Sequence, residues 1–215
     1  VAILDESKIL KTGTTTVAIV CKDSIILAAD TRATAGHLIA DKAIDKVIKI
    51  NDTMAMTIAG SVSGVQMLIK HIQSELRLKK IKSGREATVR EAVNLLRNWI
   101  YGIIRRPSMM PDITHFLFAG TDSHGLHLYN LTPDGSLFEE KEYTFSGSGS
   151  PYALGVLESV YKEGMSQEAG VALAEKCIDV AIQRDSASGN GINVYAINND
   201  GVKKVLEKRV NTHLQ

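Results

Sequence analysis

Four short stretches of the chain carry hydroxyl, carboxylate and cationic groups that could act together: Gly13-Thr14-Thr15-Thr16-Val17, Ala28-Ala29-Asp30-Thr31-Arg32-Ala33-Thr34, Ser146-Gly147-Ser148-Gly149-Ser150 and Arg184-Asp185-Ser186-Ala187-Ser188-Gly189. Lys46 lies between the second and the third. A hydroxyl is a poor nucleophile at neutral pH and needs a base within hydrogen-bond reach and a fixed orientation. Each stretch also has an ordinary reading. Threonines enrich strands, Gly/Ser clusters build loops and turn caps, and a solvated Asp–Lys pair contributes less than about 1 kcal/mol. Residue types alone leave both readings open.

Commoner chemistries find no support. None of the six histidines belongs to an HExxH pattern, and His115, His124 and His127 have no acid or cysteine at ligand spacing, so no metal is expected. A GxSxG elbow, a Walker A loop and a GxGxxG turn are all missing, and no cofactor is called for. With 25 basic and 24 acidic residues the chain lacks the basic excess that phosphate backbones attract, which argues against nucleic acid as a partner. Cys21 and Cys177 stand far apart in apolar surroundings and read as buried free thiols of a reducing compartment. The longest apolar runs, such as Ile25-Ile26-Leu27-Ala28-Ala29, are too short to span a bilayer, and the acidic start is no signal peptide. A cytoplasmic location and no membrane association are expected.

The elements that must position these groups come in blocks. β-branched runs at 15–21 and 24–30 flank a Lys22-Asp23 turn, and shorter strands are expected at 47–50 and 54–59. Val62, Val65, Leu68, Ile69, Ile72 and Leu76 recur at helical spacing. A second helix starts at the capping box Thr88/Glu91 and buries a broad face through Trp99, Ile100 and Ile103. Strands return at 115–120 and 126–130, followed by helices at 151–161 and 166–184 and a strand at 192–198. Strands, helices, strands, helices, strands: this order predicts an α+β fold with antiparallel sheets and helices segregated outside, not a doubly wound parallel sheet. One domain is expected.

Taken in order, the four stretches and Lys46 resemble the proteasome β-subunit family, and more specifically its archaeal type. The likeness runs over nearly all of residues 13–206 and includes Ala59-Gly60-Ser61-Val62 and Tyr152-Ala153-Leu154-Gly155-Val156-Leu157-Glu158. The resemblance implies a four-layer αββα sandwich of N-terminal nucleophile hydrolases and a threonine endopeptidase. It implies a leader, residues 1–13, removed by autocatalytic cleavage between Gly13 and Thr14, and a catalytic domain at 14–215. Thr14 would then be the nucleophile and its freed α-amine the base, with Lys46 as the neighbouring cation and Asp30 as the partner of Lys46. Gly60 would supply the oxyanion N–H, and Ser148, Asp185 and Ser188 would orient the amine and its water.

Matching positions for the substrate pocket are Ala33, Ile44, Ile48, Ile58, Val62 and Gln66. They are mostly aliphatic and include no carboxylate, which predicts cleavage after hydrophobic residues. The resemblance further implies seven-membered β rings, an α-subunit ring, an ATPase regulator and unfolded polypeptide as substrate. Ala18 stands where the family usually has glycine, and Asn190 where an acidic residue is common. Two other readings share much of this pattern. One is a catalytically silent, structural β subunit that keeps its leader. The other is a different N-terminal nucleophile hydrolase, such as a small-molecule amidase or the simpler bacterial peptidase of double-hexamer rings. The AAD-x-RAT and DSASG segments favour the proteasome over these last two.

Overall fold

β-branched residues on either side of Lys22-Asp23 pair as an antiparallel hairpin, β1 (Thr15–Val20) and β2 (Ile25–Asp30), with Thr16 opposite Ala29 and Val20 opposite Ile25. The computed structural model describes residues 13–108 and 112–210. The expected leader, apart from Gly13, lies outside the described residues.

After β2 the chain forms the small hairpin β3 (Ala33–Ala35) and β4 (Leu38–Asp41), then β5 (Val47–Lys49) and β6 (Met54–Gly60). The helices α1 (Val62–Ser83) and α2 (Val89–Ile104) follow, then β7 (Thr114–Asp122), β8 (Gly125–Leu131), β9 (Leu137–Glu140) and β10 (Tyr143–Gly147). The last block is α3 (Ser150–Val160), α4 (Gln167–Arg184), β11 (Gly191–Asn198) and β12 (Gly201–Arg209). One five-stranded sheet has the order β10-β1-β2-β11-β12 and the other β5-β6-β7-β8-β9, and their ladders are antiparallel.

Three apolar layers fasten the blocks. Val65, Leu68 and Ile72 of α1 and Val93, Leu96 and Ile100 of α2 pack on Met56, Phe116 and Phe118 of one sheet. Leu157 of α3 and Leu173, Cys177 and Ile178 of α4 cover Val17, Ile19 and Val194 of the other. Between the sheets lie Leu27, Leu117, Leu128 and the alanines 18, 29, 55 and 119. The result is the α+β sandwich of four layers, helices outside and sheets inside. Both cysteines are free and buried in the layer under α3 and α4, and burial pushes Cys21 up to about 11 and Cys177 to about 12, which leaves both as inert thiols.

Several strands escape the sequence pattern. Every residue of β4 is exposed, so no alternation marks it. β9 and β10 are short, and β12 carries Lys203, Lys204, Glu207, Lys208 and Arg209 on a sheet edge, where charge discourages pairing with another chain.

The start of α2 is as predicted. Thr88 Oγ1 accepts from Glu91 N at 3.2 Å while Glu91 Oε2 accepts from Thr88 N at 2.9 Å. Hydrogen bonds from Arg85, then Lys79, hold the Glu91 carboxyl well below the usual range. Thr88→Ala should destabilise the fold by about 1 kcal/mol, lowering the melting temperature by roughly 2–4 °C. Calorimetry of the isolated chain measures this.

Candidate active site

Thr14 sits at the mouth of β1, 6% exposed, with each polar atom engaged. Its hydroxyl donates to the carbonyl oxygen of Gly13 at 2.7 Å, and its backbone N–H donates to Ser148 Oγ at 3.3 Å. The preceding N–H, that of Gly13, donates to Thr34 Oγ1 at 2.9 Å. The peptide bond between Gly13 and Thr14 is therefore held at both ends beside the hydroxyl that would attack it.

Asp30 ends β2 and is fully buried. Its Oδ1 accepts from Lys46 Nζ at 2.8 Å and Thr15 N at 2.9 Å, and its Oδ2 from the backbone N–H groups of Arg32 and Gly189, both at 3.0 Å. Four donors on two oxygens fix the carboxylate in the plane that Lys46 needs. Lys46 precedes β5 in the other sheet and is tied to β6 by its carbonyl, which accepts from Ile58 N at 2.9 Å. Its ammonium also donates to Gly13 O at 3.3 Å. Burial pulls the Lys46 pKa below that of an ordinary lysine, and Asp30 opposes the fall. The pair bridges the two sheets and points a desolvated cation at the Gly13 carbonyl.

A second chain of hydrogen bonds comes from the loops around Ser148 and Asp185. Asp185 Oδ2 accepts from Ser148 Oγ and from Ser188 Oγ, each at 2.7 Å, and Ser188 Oγ also meets Thr15 Oγ1 at 2.7 Å. Thr14 N–H, Ser148 and Asp185 form a continuous line along which an amine at Thr14 would be oriented. The loop 185–190 is anchored by Arg32, whose Nε donates to Asn190 Oδ1 and whose Nη1 donates to Ser186 O, both at 2.8 Å. Asn190 has φ 66°, a left-handed conformation that asparagine tolerates better than most side chains, and its amide oxygen takes the Arg32 contact here.

All six positions expected for a substrate pocket, Ala33, Ile44, Ile48, Ile58, Val62 and Gln66, line one cleft of about 300 Å³ that opens beside Gly13, Thr14, Lys46 and Gly60. Gly60 has φ +113°, and a Cβ there would meet the carbonyl oxygen of Ile113 at 2.1 Å, so only glycine fits this wall. The cleft differs from the expectation in one respect, because Asp45 contributes to its wall. That carboxylate is already engaged: Oδ2 accepts from Tyr195 OH at 2.6 Å and pairs with Lys204 at 3.1 Å, while Oδ1 accepts from Val47 N at 3.2 Å. Burial and then Asp45 push the Tyr195 phenol up to about 12, which keeps it a donor.

The model for proteasome subunits matches residues 10–197. The chain belongs to the proteasome subunit family. Among curated relatives, "Proteasome subunit beta" of Methanocaldococcus vulcanius is 43% identical over 199 residues, covering 92% of this chain and 87% of its own. That of Methanocaldococcus jannaschii is 44% identical over 192 residues, covering 89% and 84%. That of Haloquadratum walsbyi is 44% identical over 193 residues, covering 90% and 76%.

Within this proteasome fold, direct hydrogen bonds join Thr14, Ser148, Asp185 and Ser188 in one set and Lys46 and Asp30 in another, the Gly13 carbonyl oxygen links the two sets, and Gly60 lines the adjoining cleft. Sequence reasoning missed Thr15, Thr34 and Arg32, which hold Asp30, Gly13 and the 185–190 loop. Their strand and loop positions carry no local signal, although all three fall inside stretches singled out by composition. Val65 and Ile69 extend the cleft along α1, and the spacing 62, 65, 66, 69 marks them as neighbours on one helix face. For His127, sequence spacing gave no acid partner. The β7–β8–β9 register brings Asp122 and Glu139 to it, at 3.5 and 3.1 Å. Among the described residues no group of His, Cys, Asp and Glu side chains could hold a metal ion, and no helix is long and apolar enough to cross a membrane.

Proposed function

We propose that this chain is the proteolytic β subunit of a 20S proteasome core, a threonine endopeptidase whose nucleophile, Thr14, is released by scission of the Gly13–Thr14 bond. The observation that supports this most is the Thr14 hydroxyl 2.7 Å from the Gly13 carbonyl oxygen, with Lys46 Nζ on the same oxygen. On this reading residues 1–13 are a leader and 14–215 the catalytic domain. The chain assembles with α subunits, and its own kind forms seven-membered rings in the cytoplasm. An ATPase regulator supplies unfolded polypeptide.

In the first reaction Thr14 Oγ attacks the Gly13 carbonyl carbon. Lys46, as an ammonium donating to the carbonyl oxygen, stabilises the developing negative charge. A water carries the hydroxyl proton to the Thr14 nitrogen as the C–N bond breaks. The product is an ester between Gly13 and the Thr14 hydroxyl, together with a free amine. Hydrolysis of that ester by a second water gives the Gly13 carboxylate and restores the hydroxyl. Gly13 then departs, and the freed hydroxyl is open to the carbonyl of a substrate.

In the second reaction the base is new. An α-amine titrates near ~8, so a useful fraction is unprotonated at neutral pH, and the Lys46 cation lowers its pKa further. Ser148 and Asp185 orient that amine, which takes the hydroxyl proton as Thr14 attacks and returns it to the leaving amine of the substrate. Gly60 N–H faces the oxyanion. The aliphatic cleft receives the side chain before the scissile bond, and Asp45, paired with Lys204 and Tyr195, presents no free negative charge to a basic one.

A panel of fluorogenic peptides that differ only in the residue before the cut should show hydrolysis after leucine, phenylalanine or tyrosine exceeding that after arginine or glutamate by about tenfold or more, the scale of burying one apolar side chain. Preferred cutting after arginine would overturn the assignment of the cleft.

A further inference from the structure

The hydrogen bonds around Gly13 account for how its carbonyl is presented, but not for why glycine stands there. A Cβ built on Gly13 would lie 1.8 Å from the Cβ of Ala187, 2.9 Å from its Cα and 3.1 Å from its carbonyl carbon. The obstacle is a methyl group on backbone, not the end of a flexible side chain. Neither party can move aside freely. Gly13 is held by Thr34 at its N–H and by Lys46 and the Thr14 hydroxyl at its carbonyl, so a retreat breaks the alignment that scission needs.

Ala187 is held by its own N–H on Asp185 Oδ1 at 3.2 Å. Its neighbours are pinned through Ser186 O to Arg32, Ser188 Oγ to Asp185 and Gly189 N to Asp30. Apart from Gly13 and Thr14 at its mouth, the cleft that takes substrate side chains is lined from residues 33–48 and 58–69, on other segments than this loop.

We propose that Ala187 is the specificity-determining residue of self-scission: its methyl restricts the residue before the broken bond to glycine, whereas hydrolysis of substrates selects that residue through the separate aliphatic cleft. The inference rests on the reading of Thr14 as a self-released nucleophile. It explains how one nucleophile cuts after glycine once and after large apolar residues thereafter. The step itself is unchanged, an N-to-O acyl shift from the Thr14 nitrogen to its hydroxyl followed by hydrolysis with water. Ala187 acts only on which residue can occupy the acyl side.

The test follows precursor loss by intact mass in full-length chains assembled with their α subunits, for wild type, Gly13→Ala, Ala187→Gly and the double variant. Overpacking of this size should slow scission in Gly13→Ala by about ten- to a hundredfold. Removing the Ala187 methyl should recover about tenfold of that loss in the double variant, the remainder reflecting the crowding against the backbone of residue 187 that stays. Ala187→Gly alone should be processed within about twofold of wild type.

Any Gly13→Ala chain that is cut carries the same Thr14 end as wild type, so its peptide turnover per processed chain should be unaltered, which confines the defect to scission. Three results overturn the inference: Gly13→Ala processed at the wild-type rate, a double variant as slow as Gly13→Ala, or Ala187→Gly itself failing to process. A wild-type chain that is never cut in assembled particles would instead sink the assignment of Thr14, and this inference with it.

Discussion

Particles assembled with Thr14→Ala chains should retain the full precursor mass and lose peptide hydrolysis by more than about a thousandfold, because no other hydroxyl can form the acyl intermediate at this carbonyl. Thr15 is the nearest substitute in sequence, but its hydroxyl is committed to Ser188 at 2.7 Å and its N–H to Asp30. Thr14→Ser keeps the attacking group and should still process and hydrolyse, at a reduced rate. The comparison, made on intact particles recovered with each variant, separates loss of chemistry from loss of assembly. Wild-type hydrolysis by the alanine variant would end the assignment, as would an active particle in which every wild-type chain still carries residues 1–13.

Asp30→Asn should be nearly as damaging to activity and worse for the fold. The carboxylate receives four donors, and an amide can accept on one oxygen only, turning its NH2 against N–H groups that need an acceptor. It also leaves the Lys46 ammonium buried without a counter-charge. Breaking a buried pair in this way costs about 3–5 kcal/mol.

Lys46→Met is milder for stability, because Asp30 keeps three backbone donors, yet it removes the cation from the scissile carbonyl and should abolish processing as well. The pH dependence has a definite sign. With Lys46 depressed below its unfolded value, its side chain in the unfolded chain binds more protons between the two pKa values, so its contribution to stability rises with pH across that window. Without Asp30 the depression deepens, and the slope of melting temperature against pH on the alkaline side of neutrality should steepen in Asp30→Asn relative to wild type. The added slope should vanish when Lys46→Met is combined with Asp30→Asn. An Asp30→Asn chain as stable as wild type, with no such slope, would refute the buried-pair account.

Legibility followed burial. The β1–β2 hairpin was readable because its strands are buried on both faces and rich in β-branched residues, and the α1–α2 pair because one face of each helix is buried and periodicity records that. β4 is wholly exposed and β12 is a charged edge, so neither carries a pattern that distinguishes a strand from a loop. The same logic divides the candidate site. Thr14, Asp30, Lys46, Ser148, Asp185 and Ser188 were nameable from the combination of motifs, but only the fold brings a strand end, a pre-strand lysine and two loops within hydrogen-bond reach. Asp45 shows the opposite limit. It adjoins Lys46 in sequence, yet its partners Tyr195 and Lys204 come from β11 and β12, at the far end of the chain. Nothing local could have revealed that its charge is engaged before it reaches the cleft.

The layer between the sheets bears on the site from a distance. Alanines 18, 29, 55 and 119 are fully buried there, small side chains between the sheet that carries Asp30 and the sheet that Lys46 leads into. That layer works as a spacer gauge. The 2.8 Å contact between the two charges joins the same two sheets, and a branched side chain in place of any of the four alanines would act as a wedge that lengthens the bridge. On the proposed reading of Asp30 and Lys46, catalytic competence is therefore tied to how little volume the interior leaves between two stacked surfaces.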